Sequence, residues 1–277
     1  MSFIMRPELR KTSEIPYHSD KAPGQRFVFA GSTLHPSCRL YVVGRKVDTI
    51  PANQPEWLDD HRHNCPTFYV LIGPNNDLSG LAAEIVVEGN TFIAEAPASI
   101  MLPTGALHHH RLIEGSGWSF HVNVRADYVE SLMDEVTTAS SPNVPPAGEL
   151  CRKAEPESLI VRSWEIRDGS FDAENGDGVP RLWKFIDPGE FGDPGLRLHL
   201  HQLSEQKHAG WREGVHAHST DEIYIILPGN GKALEVAVTS DETSDVCSPI
   251  SIYHEARAPH RYQHIRGDGL VMKILKL

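Results

Sequence analysis

The sequence predicts an all-β protein built from two tandem β-barrels or sandwiches with few short helices. Short runs rich in β-branched and aromatic residues recur along the chain, separated by Gly, Pro and Asn turns. The two halves also share histidines, a tyrosine and an apolar run at one constant offset, which indicates a duplicated domain. Between the halves, residues 137–158 are rich in Pro, Ser, Ala and charge without a hydrophobic period, which is typical of a linker.

The predicted elements follow in chain order. One clear helical pattern, at 126–136, has apolar residues at roughly helical spacing and would close the first domain. The predicted domain limits are therefore 1–136 and 159–277, with the linker at 137–158. The predicted strands lie at 26–30, 39–43, 68–72, 82–87, 91–95, 99–102, 118–124, 196–203, 223–227, 233–238 and 270–275.

Composition narrows the class of protein and its partners. The 277 residues are 40% hydrophobic and 23% charged with a net charge of −11, as in an ordinary globular protein with room for two domains. The negative balance argues against a nucleic-acid partner. No apolar run approaches the roughly 18 residues that span a bilayer, and the N-terminus does not resemble a signal peptide. Four scattered cysteines without a CxxC pair fit a reducing cytoplasm, which we expect as the location.

The run from Gly210 to Gly229 carries the strongest chemical signal. His216 and His218 are one residue apart, so on a β-strand both imidazoles point to one face, and Glu222 follows four residues later. A third histidine from a distant strand would complete four N/O ligands for a transition metal. The candidates for this third histidine are His254, His264 and, favoured because a proline precedes it, His260.

The first half carries an altered counterpart of this pattern. His61 and His63 align with the histidine pair of the second half, but Thr67 stands where the glutamate would be. A Pro–Gly turn is followed directly by His108, the candidate third histidine. This site would hold three histidines without a carboxylate.

These residues resemble the motifs of the cupin superfamily. The spacing of Gly, five residues, His-x-His, three residues, Glu, six residues, Gly is matched in the second half, and Pro-x-Gly-x-x-His is matched in the first. The resemblance covers about residues 25–125 and 180–277 and implies a bicupin, two tandem cupin jelly-roll barrels. Each half departs from the pattern, in the first half at Thr67 and Gly73, and in the second at Glu255 and Arg257, which replace the Pro and Gly of the second motif.

The resemblance and the ligand set lead to expectations about cofactor and substrate. We expect a divalent transition metal, Fe(II) first, with Mn, Ni, Zn, Co and Cu left open, since imidazole and carboxylate suit them all. The positive site favours a small anionic, chelating substrate. Tyr224 lies two residues after Glu222 and would face the same interior, as an acid or base or as a core tyrosine. Arg197 would pair with a substrate carboxylate if its face is turned inward, and would be a surface residue otherwise.

Three functions fit these expectations. The first is a non-haem iron dioxygenase acting on a diketone, enol or aromatic acid, as the resemblance implies for some bicupins. The second is a redox-neutral metal-dependent isomerase, lyase or hydrolase, in which the metal acts as a Lewis acid. The third is a non-catalytic module that binds a small molecule. Either a monomer or a homodimer would cover the sheet edges.

Overall fold

The protein is described from a computed structural model covering residues 1–51, 58–133, 160–166, 178–192, 194–229 and 233–277. Among these residues, the secondary structure consists of strands with a few helices of one turn, which confirms the predicted all-β class. The helices are a 3₁₀ turn at Thr12–Glu14, α1 (Tyr128–Ser131), α2 (Pro188–Phe191) and α3 (Glu205–His208). No helix in the described part of the chain is long and apolar enough to cross a bilayer.

The strands of the described ranges are numbered in chain order. They are β1 (Ser2–Met5), β2 (Glu8–Leu9), β3 (Gln25–Ala30), β4 (Tyr41–Val47), β5 (Thr67–Ile72), β6 (Leu81–Val87), β7 (Asn90–Glu95), β8 (Ala98–Leu102), β9 (His108–Gly115), β10 (Gly117–Asn123), β11 (Ile160–Arg162), β12 (Trp164–Ile166), β13 (Arg181–Ile186), β14 (Leu196–Leu203), β15 (Glu222–Pro228), β16 (Glu235–Thr239), β17 (Thr243–Cys247), β18 (Ile250–His254), β19 (Arg261–Arg266) and β20 (Gly269–Lys276).

The contacts divide the chain into two compact units. The N-terminal unit is Glu8–Ser163, and the C-terminal unit is Met1–Pro7 together with Trp164–Leu277. The first seven residues thus belong with the second half of the chain, unlike in the predicted domain of residues 1–136. The predicted linker, 137–158, lies outside the described residues, so the domain limits stay a prediction.

Each unit is built from one large and one small antiparallel sheet. In the N-terminal unit the large sheet has the order β11-β8-β5-β10-β4-β3-β2 and the small sheet the order β7-β6-β9. In the C-terminal unit the orders are β1-β18-β15-β20-β14-β13-β12 and β17-β16-β19. The large sheets correspond strand by strand. The outer strand β1 comes from the start of the chain, and the outer strand β11 comes from beyond the predicted linker.

The core of each unit lies between its two sheets. Strand β6 buries Leu81, Ala83, Ile85 and Val87 at alternate positions, because side chains alternate between the faces of a strand. In the C-terminal unit Val236 and Val238 of β16 pack in the same core as side chains of the large sheet, among them Tyr224, Ile226 and Val271. A large buried apolar surface of this kind is the main favourable term in folding.

All the predicted strands are present within a few residues, but the predicted helix at 126–136 was too long. Asp127 caps α1 by accepting hydrogen bonds from the backbone of Val129 and Glu130. The helix ends at Ser131, because the next residues pair with another segment: Met133 N donates to Arg62 O. Residues 134–136 of the prediction lie outside the described residues.

Candidate metal centres

Four candidate ligands of the C-terminal unit meet at the start of β15. The backbone of His216 pairs with that of His260, with N to O distances of 3.0 and 2.8 Å. Glu222 is the first residue of β15. The expectation that His216 and His218 lie on a regular strand was wrong: they belong to an irregular segment, with a single β-bridge at His216. This β-bridge brings His260, the favoured candidate for the third histidine, beside the histidine pair.

The ligand atoms of these four residues converge. All four lie within 4.8 Å of one another. Glu222 Oε2 is 2.6 Å from His260 Nε2, 3.5 Å from His218 Nε2 and 3.8 Å from His216 Nε2. Ligands held about 2.1 Å from one ion lie roughly 3 to 4 Å apart, so the two longer spacings suit a shared metal ion, and the shortest one would open slightly around it. We call this set the Glu222 cluster.

Backbone contacts orient two of its imidazoles. His216 Nδ1 lies 3.0 Å from Gly214 O, and His260 Nδ1 lies 2.7 Å from Ala258 O. Each Nδ1 therefore carries the proton and donates it to a carbonyl, which leaves the Nε2 lone pair directed into the cluster. The close approach of His260 Nε2 to the carboxylate then requires a positive charge between them, either a proton or a metal ion.

The carboxylate of the cluster is ionised at neutral pH. Burial alone would raise the pKa of Glu222, but the neighbouring imidazoles of His216, His260 and His218 outweigh it and hold the pKa at about 2. Burial is also the main cause that lowers the pKa of His218, with Glu222 acting in the opposite direction. Ionised carboxylate and neutral imidazole are the protonation states in which these groups bind a metal.

The two other histidines considered for this cluster have different partners. His264 lies on β19, and its Nε2 is 2.8 Å from Gly267 O, so that atom is used in a turn. The ring of His254 stacks on that of His260 with centroids 4.0 Å apart, while its Nδ1 is 2.6 Å from Ser2 Oγ on β1. His254 therefore packs against a candidate ligand and stands outside the converging set.

Three histidines of the N-terminal unit converge in the same way. His61 and His108 pair through their backbones, and the ligand atoms of His61, His63 and His108 lie within 4.8 Å of one another. All three side chains are buried, and in each the Nε2 atom has no hydrogen-bond partner within the described ranges. Three buried lone pairs directed at one point are costly unless a cation satisfies them, so these residues fit a metal. We call this set the three-histidine cluster.

The Nδ1 atoms of this cluster are satisfied. His61 Nδ1 is 2.9 Å from Asp59 O, and His108 Nδ1 is 2.8 Å from Ala106 O. His63 Nδ1 is 2.8 Å from Ser131 Oγ, which donates its own proton to Tyr128 O. The hydroxyl must therefore accept from His63, which fixes the imidazole with Nε2 unprotonated. Burial lowers the pKa of His61, His63 and His108, so all three stay neutral.

Removal of the Ser131 hydroxyl tests this orientation. We expect Ser131→Ala to weaken metal binding by the N-terminal unit by about 10- to 100-fold, because His63 loses the acceptor that fixes its tautomer. Competition with a chromophoric chelator measures this affinity. Ser99→Ala is the matched control, since it removes a buried hydroxyl of the same unit that has no described partner. Equal affinities of the two variants would refute the role given to Ser131.

The position that corresponds to Glu222 is occupied by a neutral side chain. Thr67 is the first residue of β5, as Glu222 is of β15, and it is buried with its Oγ1 unpartnered among the described residues. Cys65 is also buried nearby in sequence, but its thiol donates to Asn123 Oδ1 at 2.6 Å. The three-histidine cluster thus offers a set of candidate ligands without a negative charge.

Tyr224 belongs to a polar network beside the Glu222 cluster. Its hydroxyl lies 3.1 Å from Glu213 Oε2 and 3.3 Å from His216 Nε2. Lys273 Nζ forms an ion pair with the other oxygen of Glu213. Burial, followed by the charge of Glu222, raises the pKa of Tyr224 well above its usual value, so the phenol is protonated. The hydroxyl donates this proton to Glu213 and lies beside the cluster as a protonated acid.

Sequence reasoning missed Glu213 and Lys273. Glu213 precedes His216 by three residues in an irregular segment, and its position could not be read from a periodic pattern. Lys273 pairs in register with Tyr224 across β15 and β20, a signal that appears only once the register is known. Arg197, the expected partner of a substrate carboxylate, instead lies 3.3 Å from Asp187.

Comparisons with known proteins support the fold. No family model matches the chain, and no curated protein sequence matches it. A crystal structure of AerE from Microcystis aeruginosa is similar, with a TM-score of 0.58, 12% identity and 99% of each chain covered. Oxalate decarboxylase from Bacillus subtilis, studied for its Mn(II) centres, matches with a TM-score of 0.60 and 14% identity over all of this chain and 77% of the other.

A second structure of that enzyme, determined at pH 4.6, matches with a TM-score of 0.59, 14% identity, and coverage of 100% of this chain and 76% of the other. Identities this low show likeness of fold alone. The strand orders of the two units agree with that likeness. The chain thus has the fold of a protein with two tandem cupin barrels.

Proposed function

We propose that the protein is a metal-dependent bicupin enzyme that acts on a small anionic, chelating organic substrate. The observation that carries the proposal is the convergence of ligand atoms in both units, with Nδ1 atoms tied to the backbone or to Ser131. Buried lone pairs without a partner destabilise a folded protein, so clusters of them indicate a function. A non-catalytic module that only binds or stores a small molecule would not need such clusters.

The charge of the two clusters supports an anionic substrate. With a 2+ ion, the Glu222 cluster would have a net charge of about +1, and the three-histidine cluster would keep the full charge of the ion. Fe(II) is the metal we propose first. Mn is supported by the Mn(II) centres of the similar oxalate decarboxylase, and Ni, Zn, Co and Cu accept the same ligands. A bound ion would polarise a carbonyl or enolate and, as iron, would support oxidation by dioxygen.

The first candidate reaction is oxygenation by a non-haem iron dioxygenase. What supports it is the ligand set: three or four protein ligands leave positions open for a chelating substrate and for dioxygen. In this reaction the residues of the chain would hold the metal ion, bind the substrate and exclude water. The three-histidine cluster is buried and would therefore exclude water well.

A redox-neutral reaction, as in an isomerase or lyase, is the second candidate, and the Tyr224 network favours it. A substrate that takes an open position near His216 would meet the Tyr224 hydroxyl, which lies 3.3 Å from His216 Nε2. The hydroxyl would turn from Glu213 to donate its proton to a carbon or oxygen of an enolate, and the Lys273 ammonium, 5.3 Å from the centroid of the Tyr224 ring, would stabilise the phenolate left behind. Lys273 holds Glu213 in place for this step.

One experiment separates these reactions. The full chain, loaded in turn with Fe(II), Mn(II) and Zn(II), is mixed with 1,3-diketones, 2-oxo acids and hydroxylated aromatic acids. An oxygen electrode measures dioxygen uptake, while proton NMR in heavy water measures exchange or migration of protons. Dioxygen uptake that depends on substrate, and that occurs with Fe(II) but not with Mn(II) or Zn(II), indicates the dioxygenase. Proton migration without uptake indicates the redox-neutral enzyme. A metal-loaded protein inactive in both assays would contradict the proposed class of function.

A further inference from the structure

A pocket in the N-terminal unit lies on the strands next to the three-histidine cluster. Its polar lining consists of Arg26, Arg45, Ser119, His121 and Tyr128, together with His18, His110 and Tyr41. Arg26 and Arg45 face each other in register across β3 and β4, and Ser119 follows in register on β10. These three residues lie side by side across neighbouring strands. Two residues further along β10, His121 is paired in register with Tyr69 of β5.

Two buried arginines bring positive charge into this pocket. Arg26 is 4% exposed and Arg45 is 6% exposed. Burial lowers the pKa of Arg45 to about 10, with the charge of Arg26 acting in the same direction and that of Asp20 in the opposite one, so the Arg45 guanidinium stays charged at neutral pH. No carboxylate lines the pocket among the described residues. Like charges directly opposite on paired strands are unfavourable, and an anion between them would relieve the repulsion.

Arg26 retains donors for such an anion. Its described hydrogen bond is from one terminal nitrogen to the Tyr41 hydroxyl, at 2.6 Å. The remaining guanidinium donors can therefore bind an oxyanion in the pocket, and a carboxylate matches the planar fork of guanidinium. Arg45 has a different position: it donates to Thr12 Oγ1 and to Pro23 O, which fixes its charge beside that of Arg26.

The pocket shares a wall with the three-histidine cluster. The rings of His121 and Tyr128 lie with centroids 5.4 and 5.2 Å from that of His63, and His18 lies 5.7 Å from His61. The Tyr128 hydroxyl and His121 Nε2 are buried without a hydrogen-bond partner in the described structure. Tyr128 is 2% exposed, so an unsatisfied hydroxyl there is costly unless a ligand accepts or donates to it.

We infer that this pocket binds the carboxylate of a small organic acid, with Arg26 as the main contact, Arg45 as the second charge, and Tyr128 and His121 between the acid and the three-histidine cluster. The inference deepens the proposed function, on which it rests for the anionic substrate, by locating recognition of the carboxylate in the N-terminal unit. Arg197, the arginine expected for this role from the sequence, is occupied by Asp187.

Calorimetric titration with propanoate and its neutral analogue propanamide tests the inference. The metal-loaded full chain should bind propanoate more tightly than propanamide. Arg26→Met should weaken propanoate binding by about 10- to 100-fold, as expected for loss of a charge-assisted hydrogen-bonded pair. Arg39→Met is the matched control: it removes an exposed arginine of the same unit and should leave the affinity unchanged.

Thermal unfolding of the same variants separates a binding role from a structural one. Replacement of a buried charge by an apolar side chain of similar size often stabilises a protein, so Arg26→Met should not lower the melting temperature. If this variant fails to fold, Arg26→Lys, which keeps the charge and loses the planar fork, should still weaken propanoate binding. Folded Arg26 variants that bind propanoate like the wild type would overturn the inference. Since binding needs no turnover, a protein that shows Arg26-dependent binding but no activity would contradict the proposed function alone.

Discussion

His216→Ala should remove one equivalent of metal from the chain, and His108→Ala should remove the other. Each change deletes one converging Nε2 ligand: His216 belongs to the Glu222 cluster and His108 to the three-histidine cluster. Loss of a ligand should exceed the roughly 10- to 100-fold loss of affinity that outer contacts cause. Metal content after dialysis, measured by plasma mass spectrometry, should fall from about two ions per chain to about one in each variant.

The two variants act as controls for each other. Because the clusters belong to different units, the double variant should contain no metal, and the losses should add. His108 is almost fully buried and His216 is half-buried, so unfolding must be checked by circular dichroism in both. A folded His216→Ala protein with undiminished metal content would show that the Glu222 cluster does not hold the ion.

Tyr224→Phe should lower turnover by about 10²- to 10⁴-fold in the redox-neutral reaction, the usual contribution of a positioned acid or base. Phenylalanine keeps the packing of the ring against His254 and His260, with centroids at 4.6 and 5.5 Å, and removes only the hydroxyl. Metal content should therefore remain that of the wild type. Steady-state kinetics and metal analysis on the same preparation check the two halves of this prediction.

Tyr262→Phe provides the comparison for this variant. Tyr262 is a buried tyrosine of the same core, but its hydroxyl contacts His201 and is not part of the Glu222 cluster. We expect it to cost stability with little effect on turnover. If Tyr224→Phe and Tyr262→Phe slow the reaction equally, or if Tyr224→Phe retains full activity, the hydroxyl of Tyr224 is not the proton donor.

The sequence predicted the fold well because the fold depends on local patterns. Strand 196–203 is predicted and observed at the same residues, since it alternates apolar side chains with polar ones. The outer strands β1 and β11 could not be predicted, because each completes a sheet of the distant half of the chain. Their side chains show no strong alternation, and long-range pairing leaves no local signal. The helix after Asp127 was overestimated, because tertiary pairing at Met133 outweighed its helical spacing.

The same contrast holds for the candidate sites. His216, His218 and Glu222 were found from the sequence because the spacing between the ligands is itself the motif. Ser131, Glu213 and Lys273 were not found, since each reaches its histidine or tyrosine partner from a separate element. Arg26 and Arg45 become a pair only through the register of β3 and β4. The candidate ligands could therefore be predicted from spacing, and stay a prediction, whereas the contacts that support them required the structure.

A crystal structure of the metal-loaded protein, with anomalous scattering recorded at the absorption edge of the bound metal, would show whether the two clusters hold metal ions. We expect one peak in each unit, at about 2.0 to 2.2 Å from the ligand atoms. In the C-terminal unit these belong to His216, His218, Glu222 and His260, and in the N-terminal unit to His61, His63 and His108. Crystals of metal-replete protein with no peak at either cluster, or with the metal bound to other residues, would contradict this expectation.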